Sequence, residues 1–152
     1  MAVVLPWRLF SKPRRTIRKV FVHCSDSDRP EHDDVSVIRD WHLARGFTNT
    51  GYHYFIRKDG MIQIGRPIEK IPAAQAGHNT GSIAICLSGR TDFTVAQFNS
   101  LRTLSNLILG ALPDVTFWGH HDVDRNKTCP NFNVRKELGL DKYGKVIGTT
   151  KP

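Results

Sequence analysis

The chain has no run near the ~18 apolar residues that a membrane-crossing helix needs, so an integral helical membrane protein is not expected. Cysteine is scarce. Cys24, Cys86 and Cys129 are an odd number without paired spacing, which argues against a disulfide framework. Acid is missing from the first 19 residues, where Arg8, Lys12, Arg14, Arg15, Arg18 and Lys19 stand unopposed. Beyond them 16 bases face 14 acids, so most of the net charge of +8 belongs to one arm. Duplex binding needs a basic face built from the fold, and no nucleic-acid partner is expected. The opening MAVVLPWRLF is short and interrupted by Pro6 and Arg8, so no secretory signal is expected either. Repeats and low-complexity tracts are also missing.

What is present reads as one globular domain. A chain of 152 residues that is 39% hydrophobic and 24% charged is long enough for one core. Residues 1–15 read as a basic arm, 16–140 as the domain and 141–152 as a tail. IRKVFVHC, over 17–24, is a strand buried on both faces. A helix capped by Asp33 or Asp34 runs to about Arg45 and stops at Gly46. YHYFI and MIQIG form a hairpin about Asp59-Gly60. Residues 66–81 form a loop crossing a site, and SIAICL, over 82–87, is a second buried strand. Thr94 and Gln97 make a capping box for a helix to about Ala111, whose apolar stripe is Phe98, Leu101, Leu104 and Ile108. A strand over 115–118, a polar loop and a short helix over 134–138 follow. This order predicts an α/β domain, with a central mixed sheet flanked by helices.

Two polar clusters end buried strands: His23 after VFV, and the stretch from His120 to Cys129. Three convergent nitrogen and sulfur donors with one open position suit catalytic zinc, with bonds of ~2.0–2.3 Å. A strand-end histidine also serves as a hydrogen-bonded structural residue, and a cysteine before proline as a small buried side chain, so both readings stand on spacing alone. The remaining polar residues take structural readings. Trp41 and His42 pack a helix, His53 points away from the site, and His32 is exposed among acids. Asp122 and Asp124 form turns. His78, Asn79 and Arg90 flank the cleft.

VFVHCS, GYHYFI with its RKDG turn, SIAICLSG and GHHDVDRNKTCPNF together resemble the zinc-dependent N-acetylmuramoyl-L-alanine amidases of small phages. Those amidases share the fold of the peptidoglycan recognition proteins. The resemblance spans about 17–138 in order and spacing. It implies zinc ligands at His23, His120 and Cys129, with His121 the alternative to His120. It also implies catalytic roles for Tyr52, which would hold the attacking water or shuttle its proton, and for Lys127, which would stabilise the oxyanion. Where many relatives carry a histidine before SIAICL, this chain has Ala74 and Gln75. The implied function is a peptidoglycan hydrolase, a phage endolysin, cleaving the bond between N-acetylmuramic acid and L-alanine. It would wait in the host cytoplasm until lysis and then act on the wall in the periplasm, as a monomer. A non-catalytic muropeptide-binding module, or an amidase that also regulates a polymerase, are the alternatives. The arm, with Val3, Val4, Leu5, Trp7, Leu9 and Phe10 beside its cations, fits an anionic envelope surface or packing along the domain.

Overall fold

A computed structural model describes residues 9–147. Five strands form one sheet in the order β3-β2-β4-β1-β5: β1 (Lys19–Cys24), β2 (Tyr54–Ile56), β3 (Ile62–Ile64), β4 (Ser82–Leu87) and β5 (Thr116–Gly119). β1 runs parallel to both β4 and β5, β2 runs parallel to β4, and β3 alone is antiparallel. The expected mixed sheet is therefore observed. The central strands are covered on both faces, which is why they read as near-continuous apolar runs.

Side chains alternate across each strand and divide the core in two. Val20, Val22, Tyr54, Ile56, Ile83, Ile85 and Leu87 meet Leu101, Leu104 and Ile108 of helix α2 (Val95–Ala111). Phe55 and Cys86 face the other way, towards Val35 and Ile38 of helix α1 (Val35–Ala44). By the same alternation Phe21 and His23 leave β1 on the α1 side. Asp34 caps α1 by accepting from the Ser36 amide at 2.9 Å. Thr94 and Gln97 close the expected capping box on α2, with both bonds at 3.0 Å. Helix α3 (Val134–Leu138) begins at Asn133, whose side chain accepts from the Lys136 amide.

Packing carries the domain past both ends of 16–140. Leu9 and Phe10 are buried in the α2-side core, and the Tyr54 hydroxyl donates to the Leu9 carbonyl at 2.8 Å. Arg15 turns inward to donate from Nε to the Ile68 carbonyl, so this part of the arm is not a string of solvated cations. At the other end Leu140 bridges Val146, and the Phe117 amide donates to the Gly144 carbonyl at 2.9 Å. The apolar arm residues Val3, Val4, Leu5 and Trp7 lie outside the described residues. Among the described residues no helix is long and apolar enough to cross a membrane.

Candidate metal centre and cleft

Sheet register builds the centre. Val22 of β1 stands opposite Gly119 of β5, so His23 and His120 leave adjacent strand ends on the same edge. Their ring centroids are 4.7 Å apart. Residues 120–122 form a single 3-10 turn and do not continue β5 as an extended strand. Neighbouring side chains on such a turn lie ~120° apart instead of opposite one another. That rotation turns His120 towards His23 and sends His121 the other way, where its Nδ1 bonds the Cys129 carbonyl at 3.0 Å. The His121 amide donates to the same carbonyl at 2.9 Å, which folds the 121–129 loop back so that its thiol returns to the strand ends.

Cys129 Sγ then lies 3.8 Å from His23 Nδ1 and accepts the Cys24 amide at 3.1 Å. One donor atom from each of His23, His120 and Cys129 lies within 4.8 Å of the others. Tetrahedral zinc holds such donors roughly 3.3–3.6 Å apart, so a small contraction makes the set fit. Burial, with the nearby His120, lowers the pKa of His23 to about 3. The ring is neutral at pH 7, as a ligand must be. Burial also lowers the pKa of His120. A hydrogen bond with Cys24, followed by burial, pushes the Cys129 thiol well up, so metal binding there must displace a proton.

The three donors lie below a cleft of about 530 Å³, bounded by the second half of α1, the 73–76 loop and the 124–131 loop. Tyr52 lies between two histidines, its ring 5.1 Å from His23 and 5.5 Å from His42. Burial raises the pKa of its phenol well above the usual value, and the hydroxyl stays protonated at neutral pH. Lys127 is exposed on the cleft rim. Gly51 lets the 73–76 loop close over this corner, because a Cβ there would strike the Ala73 carbonyl.

The other polar residues separate by contact. His42 is a packing residue that accepts the Gly51 amide at Nδ1. Trp41 departs from its packing role: it is 37% exposed, lines the cleft and stands edge-on to His32. His32 is only partly exposed, its Nδ1 bonded to the Ser27 hydroxyl. His53 is buried away from the cleft. Asp122 accepts the Gly119 amide and Asp124 the Asn126 amide, both turn-forming. Asn79 braces the 74–75 backbone, Arg90 pairs with Asp26 at 3.4 Å, and His78 stacks edge-on to Phe21. Sequence reasoning missed two residues beside the centre. Cys24 is only the last residue of an apolar strand in the sequence, yet its amide holds Cys129 Sγ at 3.1 Å. Gln75, whose Oε1 lies 2.8 Å from His23 Nε2, gave no signal beyond standing where many relatives have histidine.

Residues 13–132 match the profile of the N-acetylmuramoyl-L-alanine amidase family. The chain is 36% identical over 133 residues to the endolysin of Enterobacteria phage T3, covering 82% of this chain and 87% of that protein. It is 34% identical over 137 residues to the endolysin of Escherichia phage T7, covering 85% and 90%. Among solved structures, N-acetylmuramoyl-L-alanine amidase LysC from Clostridium intestinale superposes with a TM-score of 0.72 at 28% identity, covering 82% of this chain and 85% of that one. Drosophila PGRP-LB superposes at 0.69 with 25% identity, covering 92% and 89%. With its family profile, its endolysin relatives and its fold in agreement, this chain belongs to the N-acetylmuramoyl-L-alanine amidase family.

Proposed function

We propose that this amidase is a zinc enzyme, with His23, His120 and Cys129 as its ligands, and that it serves a phage as an endolysin. The observation that carries the reading is the convergence of those three donors, from segments far apart in sequence, within 4.8 Å beneath one cleft. When bound, zinc supplies a Lewis acid that makes water a competent nucleophile at neutral pH. The protein's part is to present the substrate amide, between the lactyl carbonyl of N-acetylmuramic acid and the nitrogen of L-alanine, to that water. Lys127 on the rim offers a full positive charge to the carbonyl oxygen as charge develops there. The Tyr52 hydroxyl, neutral because burial raises its pKa, would be available to donate a hydrogen bond that orients the attacking water. Trp41 and the 73–76 loop form walls of the cleft in which the substrate would lie. The relatives named endolysins support the lytic role.

The test combines metal analysis with product analysis. Purified protein should hold about one zinc per chain, and chelation should abolish wall hydrolysis until zinc is restored. Mass spectrometry of digested peptidoglycan should show new amino termini on L-alanine with the glycan strands intact. Full activity in metal-free protein would reject the zinc reading, and cleaved glycan strands would reject the reaction.

A further inference from the structure

Gln75 is 1% exposed and belongs to no strand or helix, yet its side chain makes three hydrogen bonds whose directions are all determined. Backbone carbonyls settle the directions, because a carbonyl can only accept. Ser82 donates its hydroxyl proton to the Asn79 carbonyl at 2.8 Å, which leaves Ser82 Oγ as an acceptor. The Gln75 amide nitrogen lies 2.7 Å from that Oγ and 3.2 Å from the His78 carbonyl, so its two protons serve those two acceptors. Turning the amide over would set its oxygen against the His78 carbonyl and take its donors away from that carbonyl and from Ser82 Oγ. The orientation thus follows from the surrounding chain. Asn79 Oδ1, accepting the amides of Ala74 and Gln75 at 3.0 Å, holds the loop that presents the side chain.

Gln75 Oε1 therefore faces His23 Nε2 at 2.8 Å and can only accept. We propose that Gln75 is a positioning residue that fixes the proton of His23 on Nε2, keeping the lone pair on Nδ1, the nitrogen 3.8 Å from Cys129 Sγ. A histidine free to choose would divide between tautomers, and the wrong one aims an N–H at the metal position. This inference rests on the proposed reading of His23 as a metal ligand. It adds that a buried neutral amide, anchored by Ser82 and two backbone carbonyls, selects which nitrogen binds.

The experiment compares the full chain with Gln75→Met and His23→Ala. Zinc affinity is measured by competition against a chelator, and long-range proton–nitrogen spectra report the His23 tautomer before and after one equivalent of zinc. Wild type should show a proton on Nε2 in both states. Gln75→Met, close in shape but unable to accept this bond, should bind zinc ~10–100-fold more weakly and populate both tautomers when metal-free. Zinc binding within roughly twofold of wild type in a folded Gln75→Met protein would overturn the proposal, since outer-shell partners ordinarily act well beyond that. A wild-type His23 protonated on Nδ1 would overturn it too, without reliance on any variant. If His23→Ala binds zinc as wild type does, the ligand reading itself fails.

Discussion

Replacing His53 with glutamine should remove part of the acid sensitivity of this fold. His53 is 1% exposed, and both ring nitrogens are committed. Nδ1 accepts the Ala84 amide at 3.1 Å, while Nε2–H donates to the Lys70 carbonyl at 2.7 Å. A second proton on Nδ1 would confront the Ala84 N–H. Burial, despite the bond to the Lys70 carbonyl, lowers the pKa to about 4, against a usual 6.5. The unfolded side chain titrates near 6.5 and the folded one resists, so stability is full above that pH and falls as pH drops towards 4. Between pH 7.5 and 5 the unfolded state gains a proton that the fold refuses, a loss of about 2 kcal/mol at ~1.4 kcal/mol per pH unit. The loss levels off near 3 kcal/mol once the folded ring also titrates. The assay is urea unfolding across this pH range, with chelator present for both proteins. His23 then contributes the same slope to each and cancels in the comparison. His53→Gln should start less stable by ~1–3 kcal/mol, having lost a buried hydrogen bond, but lose about 2 kcal/mol less between pH 7.5 and 5. Parallel pH profiles would refute the reasoning.

Three further outcomes follow from the packing and the cleft. A chain starting at Thr16 loses Leu9 and Phe10 from the core and should be less stable by up to ~2 kcal/mol for each, against a chain starting at Leu9; equal urea midpoints would show that the arm adds nothing. Cys129→Ser puts a poor ligand in place of a thiolate and should lose both zinc, by metal analysis, and turnover. Lys127→Ala should keep its zinc while kcat falls ~10²-fold or more, and a near-normal kcat would remove Lys127 from the oxyanion role.

Local chemistry was enough to read most of the fold from the sequence. Apolar runs predicted β1 and β4, Asp59-Gly60 predicted the hairpin, and Thr94 with Gln97 predicted where α2 begins, because each signal lies within a few residues of the structure it determines. The resemblance added an ordered set of motifs, enough to name His23, His120, Cys129, Tyr52 and Lys127 as candidates. Tertiary structure decided what depends on meeting a distant segment. Leu9 and Phe10 look the same in a free arm as in a core, and only the presence of Tyr54 and the α2-side core shows which they are. A doublet of histidines has no orientation until the chain chooses a 3-10 turn over an extended strand. Gln75 is 52 residues from His23, and the bond between them exists because the loop before β4 is braced by Asn79 and Ser82. The sequence determined which donors this protein carries; the register of β1 against β5, and the loops that close on it, decided which atoms of those donors face one another.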